Sequence, residues 1–203
     1  YDGVFRFFEH HEINLGCPPN WHLHPVTGEE FPADRHWCEI GDFAGGDIKY
    51  VWEPSRFAWV YSLVRAYWRT EDERYPRLFW QLVENWREHN PPQFGVNWKC
   101  GQEVALQVMA CCFGLYGFAD SPESTPLRIA RLAQLFAVSG QRIEANLSYA
   151  LSQQNNHGIS EATGLFTLGL LFPEFAAAER WAHIGREALE DQCRKLIDDD
   201  GAF

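Results

Sequence analysis

The sequence predicts an all-α fold: antiparallel helical hairpins behind a loop-rich N-terminal arm. Beyond residue 50, apolar residues recur at three-four spacing in one segment after another. The connectors between those segments are short, which favours antiparallel neighbours, and no alternating strand pattern of useful length appears. We therefore read 1–203 as a single helical domain, with residues 1–50 as the arm and 51–203 as the helices.

The arm is rich in Gly, Pro, His and Trp and has no sustained period. It runs from Cys17-Pro18-Pro19 through Pro25-Val26-Thr27-Gly28 to Gly45-Gly46. Glu53-Pro54-Ser55 then places a proline in the first turn of a helix whose face is Phe57, Val60, Tyr61, Val64 and Tyr67, ending near Arg69. A second helix covers Pro76 to Glu88, with Phe79, Leu82, Val83 and Trp86 on one side, and Asn90-Pro91-Pro92 stops it. The third, from about Lys99 to Phe118, is apolar almost all round, as in helices that sit between neighbours. Pro126 opens another, the pattern resumes after Gly140 with Ile143, Leu147 and Leu151, and Gly158 to Leu171 and Glu174 to Ile197 complete the set.

Composition narrows the function. A hydrophobic fraction of 46% in 203 residues is enough for a real core. Trp 9, Tyr 7 and Phe 15 are a heavy aromatic load, usable as core bulk or as flat surfaces for sugar rings. A formal charge of -11 argues against a generic nucleic-acid or anionic-membrane binder, so an anionic ligand would need a local site. The longest apolar stretch, Leu165 to Phe175, is too short to span a bilayer. The chain opens on Tyr1 with no signal-like segment, the expectation for an excised fragment. Six scattered cysteines do not define the fold, and Cys111 and Cys112 sit on a buried helix. No cofactor is implied. Cys17, His22, His24, His36 and Cys38 lack compact ligand spacing, so no metal is predicted.

Polar residues gather at four helix boundaries. Asn156 and His157 form the strongest group: an amide beside an imidazole can bind one carboxylate, and histidine can move a proton near neutral pH. The alternative is that Asn156 caps the following helix. Glu53 and Arg56, three apart, read as a local ion pair that braces the fold. Glu103 and Glu161 sit early in helices, where a carboxylate complements the dipole. Trp98 beside Asn97 is a sugar platform or a buried anchor. There is no G-x-S-x-G elbow and no phosphate-cradling G-x-x-x-x-G-K-[ST] loop.

Taken in order, Asp47-Ile48-Lys49 with Trp52-Glu53, Ser55-Arg56, Asn90-Pro91, Gly95-Val96-Asn97-Trp98, Glu103-Val104-Ala105-Leu106 and Asn156-His157 resemble the landmarks of the heparinase II/III-like polysaccharide lyases. The stretch from Trp21 to Pro32 is similar to the segment preceding the helices in that family. The resemblance implies an incomplete α/α toroid followed by a β-sandwich domain absent from this chain. It also implies β-elimination at a uronate of an acidic polysaccharide, with secretion or a periplasmic location following from a polymeric substrate. By that resemblance Asn156 and His157 take the carboxylate-neutralising positions, and Asn97, Trp98, Glu103 and Arg56 face the substrate. The family's catalytic tyrosine follows an Asp-Gly landmark similar to Asp200-Gly201-Ala202-Phe203 and is not in this sequence. Gln107 stands where the family often has arginine, and Arg56, Lys99 and Arg142 are the available cations. The competing readings are a non-catalytic glycan-binding toroid, a uronate epimerase, and an α/α-barrel hydrolase working through Glu53 and Glu103.

Overall fold

A computed structural model describes residues 2–8, 11–41, 46–198 and 200–201. Tyr1, Gly45 of the Gly45-Gly46 pair, and Ala202-Phe203 of the C-terminal landmark lie outside the described residues. The chain divides into two compact units, Tyr1–Lys99 with Ala110–Leu132, and Cys100–Met109 with Ala133–Phe203.

The first unit opens with a hairpin that periodicity misses. Strands β1 (Val4–Phe7) and β2 (His11–Asn14) pair antiparallel, with Phe5 opposite Ile13 and Arg6 opposite Glu12. Four residues are too few to establish an alternation in a sequence. The pattern is nonetheless present: Phe5 and Phe7 turn inward, while Arg6 pairs with Glu12 at 2.9 Å on the outside.

The helix expected from Glu53 to Arg69 is two helices, α1 (Lys49–Ser55) and α2 (Trp59–Thr70). Pro54 lies in the last turn of α1 rather than a first turn. The break is at Phe57, whose φ of 58° is left-handed. That conformation costs on the order of 1–3 kcal/mol for a non-glycine residue. Complete burial of the ring, packed edge-on to Trp21, Trp59 and Trp86, recovers a comparable amount. Helix α3 (Arg74–His89) follows as expected and buries Phe79, Leu82, Val83 and Trp86. Helix α4 (Gly101–Gly117) is buried on several sides, at Val104, Ala105, Val108, Ala110, Cys111 and Cys112, as its apolar circumference predicts. All six cysteines are free.

The expected pause at Gly140 does not occur, because α5 (Pro126–Ser152) runs through it. Its glycine answers a packing need. An alanine Cβ there would lie 2.6 Å from Cζ3 of Trp181, a ring that is 1% exposed. Helix α6 spans Asn156–Leu171 and α7 spans Ala178–Leu196, the latter starting four residues later than the apolar pattern suggests. Among the described residues, no helix is long and apolar enough to cross a membrane.

Tryptophan burial follows one rule throughout. Each of the nine indole N–H groups donates to a protein acceptor: Asn85, Gln93, Val96, Pro54, Gly117, Ser124, Ser55, Asn90 and Glu144. Trp181 is tied at 2.8 Å to Glu144 Oε2 and cannot readily move aside for a larger residue at position 140. Gly140→Ala gains about 1 kcal/mol in helix propensity but overpacks a fixed ring, at about 1–3 kcal/mol. The expected outcome is net destabilisation, read as a lower urea midpoint with an unchanged denaturant slope.

Candidate functional site

The six residues singled out in the sequence fall in both compact units. Arg56, Asn97 and Trp98 lie in the first, and Glu103, Asn156 and His157 in the second.

In the first unit Arg56 is the C-cap of α1, and its guanidinium donates to the Glu53 carboxylate, the local ion pair its spacing suggests. Asn97 and Trp98 form a 3-10 turn, Val96–Trp98, whose three residues are buried. Asn97 Nδ2 donates to the Trp21 carbonyl at 3.0 Å and to Asn90 Oδ1 at 2.8 Å, and Trp98 Nε1 donates to the Asn90 carbonyl at 3.1 Å. Trp98 is 0% exposed and packs against Trp86, with ring centroids 6.1 Å apart. This geometry is that of the buried anchor: no face of the ring is open to a sugar. Three histidines of the arm, His22, His24 and His36, are also structural. His22 Nε2 meets the His89 carbonyl at 3.0 Å, with burial lowering its pKa. His24 Nδ1 accepts from the Val26 and Thr27 amides, and His36 caps a 3-10 turn.

The second unit holds a polar cluster around the start of α6. Asn155, not Asn156, is the cap: its backbone is extended and its Oδ1 accepts from the His157 amide at 2.9 Å. Asn156 is thereby released to solvent as the first helical residue, and His157 follows it half-buried. His157 Nδ1 lies 3.8 Å from Cys100 Sγ. Burial pushes the Cys100 thiol up to about 11, so near neutral pH it is a thiol and can serve as a hydrogen-bond donor. Glu103, 2% exposed, occupies the first turn of α4, the position that complements a helix dipole.

One turn beyond His157 on α6, Glu161 is 0% exposed. Both its carboxylate oxygens accept from Asn146 Nδ2, at 3.1 and 3.0 Å. Burial raises the Glu161 pKa, opposed by the Asn146 hydrogen bonds and by the charge of Arg142. Arg142 is itself 3% exposed, with burial lowering its pKa against the pull of Glu161. An alanine Cβ at Gly101 would stand 2.5 Å from the Glu161 carboxylate, so only glycine lets α4 begin this close to it. In the sequence Arg142 has no evident partner, Glu161 reads as a dipole partner and Asn146 does not stand out. A signal was available: Ser139, Arg142 and Asn146 interrupt the same three-four stripe as Ile143, Leu147 and Ala150.

The helix order and pairing place the chain in the class of all-α scaffolds built from helical hairpins, a class that includes the α/α toroids. It belongs to the heparinase II/III family, since the model of the heparinase II/III N-terminus matches residues 3–203. Among curated relatives, the heparin-sulfate lyase of Bacteroides thetaiotaomicron is 27% identical over 164 residues, covering 75% of this chain and 22% of that protein. The heparin-sulfate lyase of Pedobacter heparinus is 27% identical over 160 residues, covering 76% of this chain and 24% of that protein. The crystal structure of heparan sulfate lyase HepC from Pedobacter heparinus matches with a TM-score of 0.75 at 22% identity, over 98% of this chain and 28% of that one. That likeness shows the fold. The chain spans roughly a quarter of the length of these relatives.

Three substitutions test the cluster. Asn155→Ala should cost about 1 kcal/mol through loss of the cap. Asn156→Ala, at an exposed helical position, should stay within about 0.5 kcal/mol of the parent in the same chemical unfolding. For Glu161 the folded pKa lies above the unfolded one. Its contribution to stability is therefore full below the unfolded pKa and lost as pH rises through the folded pKa. Glu161→Gln should flatten that decline, measured as unfolding free energy across the mildly acidic range. An unchanged slope would show that Glu161 titrates normally.

Proposed function

We propose that this chain is the N-terminal toroid segment of a lyase that cleaves an acidic, uronate-containing polysaccharide by β-elimination, with Asn156 and His157 binding the uronate carboxylate. The observation that carries the reading is the start of α6. An Asn-His pair sits there with Asn155 capping the helix, Asn156 in solvent and the Nδ1 side of His157 met by Cys100. A thiol donating to Nδ1 favours the tautomer with its proton on Nε2, and Nε2–H together with the Asn156 amide would give two donors for one carboxylate.

The chemistry needs such donors. Breaking the C5–H bond places negative charge beside a carboxylate, and neutralising that group lowers the barrier. The released electron pair forms the C4–C5 double bond while the C4–O bond breaks, and the leaving oxygen takes up a proton. A proton must pass from C5 to the leaving oxygen, and His157 would share in that transfer. The heparin-sulfate lyase relatives favour a glycosaminoglycan among the acidic polymers, and a polymeric substrate favours a secreted or periplasmic protein.

The test uses the full-length parent and its Asn156→Ala and His157→Ala variants, incubated with heparan sulfate, hyaluronan, chondroitin and alginate. Ultraviolet absorbance of the unsaturated product is followed. One polymer should give a rise, and each substitution should lower its rate about 10²–10³-fold, the usual scale for a lost charge-stabilising donor, with the fold intact. Saturated products would replace the lyase with a hydrolase, and a change of uronate configuration without cleavage would replace it with an epimerase.

A further inference from the structure

Most arginines of the described residues face a carboxylate. Arg6, Arg56, Arg74, Arg77, Arg128, Arg131, Arg180, Arg186 and Arg194 all do so. Arg35 and Arg87 lack an ion-pair partner among the described residues, as do Arg65, which reaches only Ser62 Oγ at 3.4 Å, and Arg69. Arg65 and Arg69 line one groove of about 710 Å³, with Trp68 between them on α2 and with Phe113 and Tyr116 opposite on α4.

The aromatic residues of this groove break the pattern of the chain. Trp68 is 74% exposed, Tyr116 54% and Phe113 45%, whereas Trp21, Trp80, Trp86, Trp98 and Trp181 are fully buried. An exposed cluster of large aromatics forgoes a favourable burial term, and such clusters on folded proteins mark contact sites. The Trp68 ring is also fixed, because its Nε1 donates to the Gly117 carbonyl at 2.9 Å. The indole edge is satisfied, and the ligand would not have to immobilise the ring.

We propose that this groove is a binding site for an acidic glycan, with sugar rings laid on Trp68 and Tyr116 and the carboxylate or sulfate groups held by Arg65 and Arg69. The ligand class rests on the reading of the chain as part of a polysaccharide lyase. The geometry supplies the rest: pyranose C–H faces suit a fixed indole face, and guanidinium forks suit planar and tetrahedral oxyanions. In a chain of net charge -11, Arg65 and Arg69 place two cations without an ion-pair partner among the described residues beside exposed aromatics.

The experiment is affinity electrophoresis of the full-length parent, Trp68→Ala and the Arg65→Ala/Arg69→Ala double variant, in native gels containing heparan sulfate or alginate. The His157→Ala background keeps the polymer uncut. Melting temperatures are measured in parallel. The expected result is retardation of the parent that falls several-fold in both variants at unchanged melting temperature, with the salt sensitivity of retardation reduced in the arginine variant. Retardation equal to the parent in both variants overturns the proposal, as does a parent retarded in neither gel. A Trp68→Ala protein that melts lower while its retardation is unchanged also overturns it, showing the groove to be covered by protein. Because the readout is retention and not turnover, a parent that yields no unsaturated product yet is retarded through Trp68 and the two arginines overturns the lyase reading and leaves the groove standing.

Discussion

An indole can be buried profitably only if its N–H finds an acceptor, and that constraint organises the first unit. Eight of the nine tryptophans lie there, and their donors reach acceptors in the helices, the 3-10 turn and the connecting loops. Asn90 is one such acceptor. Its side chain donates to the Trp86 carbonyl at 2.8 Å, its Oδ1 accepts from Asn97, and its own carbonyl accepts from Trp98. The loop after α3 could not unwind without stranding several buried polar groups at once. Trp21 reaches Asn85 and Trp37 reaches Gln93, so the arm, irregular in sequence, is held to the helices by directed bonds as well as by burial.

The second unit accepts the opposite kind of burden. Glu161 and Arg142 are both almost without solvent, and the upward shift of one and the downward shift of the other record what burial costs them. Replacing such a pair with apolar residues is often neutral or stabilising, so its presence is weak as an argument from stability alone. Its location carries more weight. Arg142 and Asn146 are one turn apart on α5, Glu161 is one turn beyond His157 on α6, and Gly101 clears the space at the start of α4. The helix start that presents Asn156 and His157 is thus followed, one turn on, by a buried carboxylate that Asn146 holds.

What was legible in the sequence followed from period and punctuation. Helix α3 repeats an apolar face long enough to be read, α4 and α6 are long apolar runs, and prolines and glycines mark most of their ends. What was not legible depended on tertiary partners. The break at Phe57 exists because three tryptophans surround one phenylalanine, and none of the three is its helical neighbour in sequence spacing. Gly140 looks like a stop until Trp181 is seen to occupy the space of its side chain. The cap fell on Asn155 rather than on the neighbouring asparagine, a one-residue difference that decides which amide is spent on the backbone and which is free. The roles of Arg142 and Asn146 were hidden for the same reason: a polar residue in a buried stripe signals a partner without saying which.

The aromatic load was the most ambiguous feature of the composition, and the structure divides it by a single criterion. Tryptophans serving the core have buried faces as well as bonded edges, so nothing remains for a ligand to use. Trp68 has the bonded edge without the buried face. Net charge is misleading in the same way. A chain of -11 looks unsuited to a polyanion, but its carboxylates largely neutralise its arginines in pairs, and Arg142 is taken up inside the fold. What an approaching acidic chain would meet is set by the few cations left without an ion-pair partner among the described residues. Where those cations stand beside fixed, exposed rings, local chemistry outweighs the total.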